Sequence, residues 1–162
     1  MASQIHPHYT PEERIRRDRS KWTLVQGILA PVQFVIFLVS LYFVIRFLIT
    51  GQGEFAANVS IVIKTLILYT IMITGSIWEK EVFGKYLFAP AFYWEDVFSM
   101  LVLALHTAYL IALTFGFLEP RALMVLALSA YLAYVINAAQ FLWKLRQARL
   151  QESSQGTEQV MA

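Results

Sequence analysis

The chain has no cysteine among its 162 residues. Disulfide bonds, thiolate metal sites and cysteine nucleophiles are therefore excluded together. Charged residues are also scarce, at 15%. A phosphate-binding glycine loop, a GxSxG motif and a His-x-x-x-His pair are all missing from the sequence. Neither the usual soluble-enzyme chemistry nor a metal centre built from protein ligands alone is predicted.

Hydrophobic residues, by contrast, make up 58% of the chain. A soluble domain of this size needs a more polar surface than that composition provides. An apolar helix of about 20 residues crosses the hydrocarbon core of a bilayer. Four segments of that kind are present, over about 24–48, 56–78, 93–117 and 121–144. The sequence therefore predicts an all-α polytopic membrane protein, a four-transmembrane-helix bundle preceded by a short N-terminal amphipathic helix.

We expect three parts along the chain. Residues 1–21 are polar and form a surface helix whose start is signalled by Thr10-Pro11-Glu12-Glu13. Residues 22–146 form a single membrane domain. Residues 147–162 are polar and rich in Ser and Gln, which predicts a disordered tail.

The positive charges predict the orientation. Five Lys or Arg residues precede the first span, two follow the second span and three follow the fourth, against one in each of the other two connections. Cytoplasmic segments carry the positive excess, so both termini are predicted to be cytoplasmic. Beside membrane spans, such basic segments favour contact with anionic lipid over contact with nucleic acid.

The third span contains unusual polar residues. It begins with Glu95 and Asp96 and carries His106, which lies on the same helical face as Glu95 and about 16 Å further along. Glu95 and Asp96 could be solvated acids favoured by the helix dipole, and His106 could simply bond a neighbouring helix. Ionisable groups at such depth more often face a functional interior.

Lys64, in the second span, is predicted to lie at a depth similar to that of His106. We expect it to extend outward to the interface. If it turns inward, its cation would keep His106 neutral and suited to act as an axial ligand or base. The first and fourth spans carry polar seams, which are consistent with interhelical hydrogen bonds or, together, with a pocket for a large apolar ligand. These seams comprise Gln26, Gln33 and Ser40, and Tyr134, Asn137, Gln140 and Lys144.

The longest connection and its edges read WEKEVFGKYLFAPAFYWED, from Trp78 to Asp96. Its many aromatic residues, Trp78, Tyr93 and Trp94 among them, are typical of an interfacial belt. The alternative is a flat apolar platform at which a planar ligand enters from the membrane surface.

Three features carry a family resemblance. YTPEERIRRDRSKWTLVQGILAPVQFVIFLVSL, TLILYTIMITGSIWEKEVFGKYLFAPAFYWEDVFSMLVLALHTAYL and the four-span layout closely resemble the 3-vinyl bacteriochlorophyllide hydratases of phototrophic bacteria, from about Tyr9 to Trp143. The resemblance implies a hydro-lyase of bacteriochlorophyll biosynthesis, which adds water to the C3-vinyl group of a chlorophyllide-type macrocycle to give a 1-hydroxyethyl group. It also implies the cytoplasmic or intracytoplasmic photosynthetic membrane of a bacterium. The only metal implied is the magnesium carried by the substrate, so no cofactor is expected.

This chemistry suggests roles for the polar residues. A carboxylic acid can protonate the terminal vinyl carbon while a carboxylate deprotonates the attacking water. We assign Glu95 as the general acid and Asp96 as the base that orients water, with Glu79 and Glu81 as further candidates at the same face.

The remaining site residues are predicted to bind the substrate. His106 is assigned to the axial position of its magnesium, although the 16 Å rise from Glu95 is about twice the separation of magnesium and vinyl group. If that geometry forces a choice, the carboxylates keep the catalysis and His106 loses the ligand role. At the surface, Lys80, Lys85 or Arg16 could pair with the propionate. The other residues predicted to bind the substrate are Lys64, Trp78, Tyr93 and Trp94.

The expected partners are the tetrapyrrole substrate and the lipid bilayer, but no nucleic acid. A second copy of the chain or another pigment-biosynthesis enzyme is a further candidate. A different function, a membrane pigment-binding or assembly protein without catalysis, would need a magnesium ligand and an aromatic surface but no acid. A small transporter is disfavoured because the chain shows neither repeats nor interrupted spans.

Overall fold

The protein is described by a computed structural model over residues 9–162, in which five α-helices and one short 3-10 helix occur. They are α1 (Pro11–Arg19), α2 (Lys21–Thr50), α3 (Glu54–Phe83), the 3-10 turn (Pro90–Phe92), α4 (Tyr93–Phe115) and α5 (Pro120–Met161). Helices α2 to α5 are long and apolar enough to cross a membrane. The predicted all-α class, with four membrane-length helices and a short N-terminal helix, is confirmed, and the chain is a multi-pass membrane protein.

Local sequence signals set the ends of the helices. The Thr10 hydroxyl accepts a hydrogen bond from the Glu13 amide at 3.2 Å, and the Glu13 carboxylate accepts one from the Thr10 amide at 2.8 Å. This reciprocal pair forms the capping box that the sequence predicts for α1. Left-handed glycines end α2, α3 and α4, with φ of 70° at Gly51, 84° at Gly84 and 67° at Gly116.

The four long helices alternate in direction. Helix α2 packs against α3 and α5, and α4 packs against α5 and α3. Their shared core is apolar and includes Phe37, Ile61, Tyr109, Met124 and Tyr131. Many large apolar side chains face outward instead, which suits a surface surrounded by lipid.

Helix α1 lies at one end of the bundle, together with the last turns of α5. We call this the terminal end; α2 and α4 begin there and α3 finishes there. Tyr9, just before α1, is 3% exposed and stacks on Phe83 with ring centroids 5.6 Å apart. Burial raises the pKa of the Tyr9 hydroxyl, although the Arg17 guanidinium over its ring acts in the opposite direction. Residues 1–8 of the predicted surface segment lie outside the described residues.

The C-terminal segment differs from the prediction. We expected disorder over 147–162, whereas α5 continues to Met161. The reason is a set of contacts with α1 that composition does not reveal. Glu152 accepts from Arg17 at 3.0 Å and lies 3.4 Å from Arg14, and Ala148 is buried in the cluster that contains Tyr9.

Candidate active site

Two carboxyl groups meet at the terminal end of the bundle. Glu79 lies near the end of α3 and Asp96 in the first turn of α4, and they are 4% and 6% exposed. The neighbouring Phe88 and Ala89 amides donate to Asp96 and Glu79, so the two carboxyl groups lie close together. Two carboxylates held this close would repel each other, and a proton on one of them relieves that repulsion. The pair can therefore act as a proton donor.

The connection between α3 and α4 covers this pair. The Phe88 amide donates to Asp96 Oδ2 at 2.9 Å, and the Ala89 amide donates to Glu79 Oε1 at 2.7 Å. Phe88 has a φ of 62°, a left-handed conformation that is uncommon for an aromatic residue. Strained backbone of this kind persists where surrounding contacts hold it. Here the two amide–carboxyl bonds supply those contacts.

A third carboxyl group, that of Glu95, has different surroundings. Glu95 is 5% exposed, and its Oε2 lies 3.5 Å from Lys144 Nζ but accepts no hydrogen bond from the described residues. The Lys144 ammonium is thus close enough to form an ion pair with this carboxyl group. Asn137 Nδ2 donates to the Glu95 backbone carbonyl at 2.9 Å, and the Ser99 hydroxyl lies 2.8 Å from the same oxygen. The backbone of Glu95 is thus fixed by these contacts. One oxygen of its side chain is able to accept a hydrogen bond from a small molecule.

Glu81, the remaining predicted carboxylate, stands apart from this cluster. It is exposed and accepts a hydrogen bond from the Ser20 hydroxyl at 2.7 Å. That bond joins the end of α3 to the start of α2. Its position therefore suits a structural link between helices better than contact with substrate.

His106 and Lys64 form a second polar cluster deeper in the bundle. Both are 0% exposed, and Lys64 Nζ lies 2.9 Å from His106 Nε2. The His106 Nδ1 lies 2.8 Å from the Val102 carbonyl oxygen. Nδ1 therefore carries the proton and Nε2 accepts from Lys64. Neither ring nitrogen is free for magnesium in this arrangement, so the geometry does not support the axial-ligand role.

The expectation that Lys64 extends outward is wrong. Its ammonium group lies 4.0 Å from the centroid of the Tyr134 ring and 4.9 Å from that of Tyr131. Aromatic faces attract a cation in a desolvated site, and the His106 nitrogen adds an acceptor. These interior partners outweigh the pull of the interface.

The predicted aromatic residues divide into two groups. Trp78 packs in the cluster with Tyr9, Phe83 and Phe92 and donates from Nε1 to Thr23 Oγ1 at 2.8 Å, so it is part of the core. Tyr93 and Trp94 are instead 46% and 70% exposed.

The exposed group has two predicted lysines close by in the sequence. Tyr93 and Trp94 pack edge to face, and the Phe88 ring lies 5.7 Å from that of Tyr93. Lys80 donates to the Gly84 carbonyl at 3.0 Å and lies over the Tyr86 ring, and Lys85 is exposed. An aromatic surface with nearby cations thus adjoins the carboxyl cluster.

Some functional contacts could not be read from residue types. The polar spacing of α5 drew attention to Asn137 and Lys144, but not to their shared partner Glu95. The amides of Phe88 and Ala89 gave no signal at all, because every residue except proline supplies the same donor. Glu79 was named only as a secondary candidate, and its contact with Asp96 depends on two helices meeting.

Comparisons with known proteins agree on one family. The sequence profile described as 2-vinyl bacteriochlorophyllide hydratase (BCHF) matches residues 9–147. A protein of Rhodobacter capsulatus named 2-vinyl bacteriochlorophyllide hydratase is 68% identical over 148 residues, covering 91% of this chain and 85% of that protein. A protein of the same name from Cereibacter sphaeroides is 65% identical over 153 residues, covering 92% and 94%. No solved structure matches the chain.

Proposed function

The chain belongs to the 2-vinyl bacteriochlorophyllide hydratase family, and from this premise we propose that the carboxyl cluster at the terminal end of the bundle carries out the hydration. The enzyme is a hydro-lyase of bacteriochlorophyll biosynthesis. The names of these relatives use 2-vinyl, whereas the sequence analysis above uses C3-vinyl. Both refer to the same vinyl group under two numbering schemes. Water adds so that a proton joins the terminal vinyl carbon and hydroxide joins the carbon beside the ring, where the macrocycle can delocalise positive charge.

The Glu79–Asp96 pair is the proton donor in this proposal. The observation that carries it is the burial of two carboxyl groups on neighbouring backbone amides, where two carboxylates would repel each other. A buried neutral carboxyl is the form of acid that can protonate an alkene near neutral pH. Once the proton is transferred, the Phe88 and Ala89 amides remain in place to stabilise the negative charge that is left.

Glu95 is the base that orients the attacking water. Its Oε2 accepts no hydrogen bond from the described residues, and the Lys144 ammonium lies 3.5 Å away. The geometry thus supports a reversal of the roles assigned from sequence, in which Glu95 was the acid and Asp96 the base. The proton that Glu95 takes from water returns to the acid pair through solvent after the product leaves.

The macrocycle enters across the exposed aromatic surface and then extends into the bundle. Tyr93 and Trp94 offer a flat apolar face beside the carboxyl cluster, and burying such rings against a planar ligand is favourable. Lys80 and Lys85 lie at the same end and would pair with the propionate. Trp78 supports this surface from within the core rather than touching the ligand.

The membrane setting follows the charge distribution. We propose that both termini are cytoplasmic, in the inner or intracytoplasmic photosynthetic membrane of a bacterium, since the basic segments all lie at the terminal end. Another pigment-biosynthesis enzyme or a second copy of the chain would then meet the enzyme at that end, where the substrate is received.

Amide substitutions test the acid pair. Glu79→Gln and Asp96→Asn keep the size of each side chain but remove the shared proton, so hydration should fall by about 100-fold or more. The assay is the mass gain of one water on a vinyl chlorophyllide, with pigment binding measured separately. Glu81→Gln is the matched control and should hydrate normally. Full activity in both pair variants would show that another group donates the proton.

A further inference from the structure

Gln33 is a buried side chain without hydrogen-bond partners. It is 2% exposed, and both its Oε1 and its Nε2 lack a partner among residues 9–162. The comparable amides are satisfied: Asn137 bonds Glu95 and Ser99, and Gln26 donates to Thr74 at 2.6 Å. A buried polar group left unpaired is unfavourable and calls for an explanation.

The position of Gln33 lies between the two polar clusters. It precedes Phe37 by one turn on the buried face of α2, and the Phe37 ring lies 6.0 Å from Lys64 Nζ. Helix α2 begins at the terminal end, so Gln33 is about 5 Å nearer the carboxyl cluster than the Lys64–His106 pair is.

We propose that Gln33 Oε1 is the axial ligand of the substrate's magnesium. Magnesium in a tetrapyrrole takes a ligand from outside the ring, and it prefers oxygen donors such as a carboxamide carbonyl. The His106 Nε2 atom is already engaged by Lys64 at 2.9 Å. Two buried side-chain amide oxygens lack a partner in the described part of the chain: Gln33 Oε1 lies in the membrane-length helix α2, and Gln151 Oε1 lies in the C-terminal part of α5.

The spacing also favours Gln33 over His106. A ligand one turn closer to the terminal end reduces the rise of about 16 Å between His106 and Glu95 to about 11 Å. That is much nearer the separation of magnesium and vinyl group in one macrocycle. A ring whose magnesium meets Gln33 can therefore present its vinyl group to the carboxyl cluster.

A proline within α2 allows the helix to bend close to Gln33. Pro31 lies within the helix, two residues before Gln33. Proline donates no backbone hydrogen bond, so the carbonyl of Gly27 loses its usual helical partner. Helices bend most readily at such positions. A small bend at Pro31 would bring the Gln33 carboxamide towards a ring entering the bundle.

This proposal rests on the macrocycle binding inside the bundle as proposed above, and its test is separate from the hydration assay. Gln33→Met keeps the length of the side chain but replaces the oxygen donor with a poor magnesium ligand. Binding of a vinyl chlorophyllide and of its magnesium-free counterpart would be measured by absorption titration. Gln33→Met should weaken binding of the magnesium pigment about tenfold and leave the metal-free pigment unaffected.

Two controls make the result decisive. Gln26→Met removes a partnered amide on the same helix and should affect both pigments alike. Thermal unfolding checks folding, and Gln33→Met should be no less stable than the parent because it leaves no donor or acceptor unpaired. Equal weakening of both pigments, or no weakening of either, would overturn the proposal. Loss of the magnesium-dependent part of the binding in a His106→Asn variant would also overturn the proposal. None of these outcomes would change the expected loss of hydration in Glu79→Gln and Asp96→Asn, so the two proposals can fail separately.

Discussion

At the scale of single residues, Glu95 forms an ion pair with Lys144. The two groups lie 3.5 Å apart, with 7% and 24% of their side chains exposed. Lys144 also donates to the Ala91 carbonyl at 2.5 Å, which fixes its position next to the start of α4. From sequence alone, a lysine three residues before the predicted tail has no feature that distinguishes it from a surface residue.

Lys144→Met should therefore reduce hydration by about tenfold or more, because Glu95 would lose the ammonium that pairs with it. Stability should fall by about 1–3 kcal/mol through the unpaired Glu95 and Ala91 oxygens. Single-turnover hydration and thermal unfolding would check both effects. Lys144→Arg should retain most activity; if it behaved like Lys144→Met, geometry rather than charge would be the important property.

At the scale of elements, the extension of α5 holds α1 against the bundle. The contacts are Glu152 with Arg14 and Arg17, and Ala148 with the cluster around Tyr9. Because α1 buries none of its own residues, its attachment depends on these contacts, on Tyr9 and on the bond from the Thr23 hydroxyl to the Arg17 carbonyl. The attachment lies beside Phe83 and Phe92, which flank the connection that covers the acid pair.

Two truncations test this attachment. A chain ending at Glu152 keeps Ala148 and both arginine contacts and should unfold at the parent temperature. A chain ending at Arg146 loses them and should be less stable by about 1–2 kcal/mol, with faster hydrogen exchange in α1. Equal stability of the two truncated chains would mean that α1 is held by other contacts.

At the scale of the whole molecule, the proposed orientation places the acid cluster on the side where substrate and water are both supplied. All five described basic residues of the N-terminal segment and the charged end of α5 lie at this end. The opposite end carries the short turns around Gly51 and Gly116. Charge and helix direction therefore agree on one orientation.

The absence of cysteine makes this orientation simple to measure. Ser154→Cys and Gln52→Cys each introduce a single thiol at an exposed position, one at each end of the bundle. In intact cells a membrane-impermeant maleimide should label Gln52→Cys, and Ser154→Cys should react only after permeabilisation. The reverse pattern would place the termini outside and contradict the proposal.

Local properties of the chain determined much of this protein in advance. Hydropathy predicted the four membrane-length helices, because every backbone group within lipid must be satisfied inside its own helix. The capping box at Thr10 was equally predictable, since it depends on residues that are neighbours in the chain. The depth shared by Lys64 and His106 also followed from counting residues along two helices.

Only the tertiary structure decided which polar groups meet. The inward direction of Lys64, the contact of Glu79 with Asp96, the pairing of Glu95 with Lys144 and the helical tail all depend on how separate helices rotate and pack. The free energy of a buried polar group is set by the partners around it, and the residue type does not reveal which partners those are. The sequence therefore determined the kinds of chemical groups present and their depth, and the packing of the helices determined their roles.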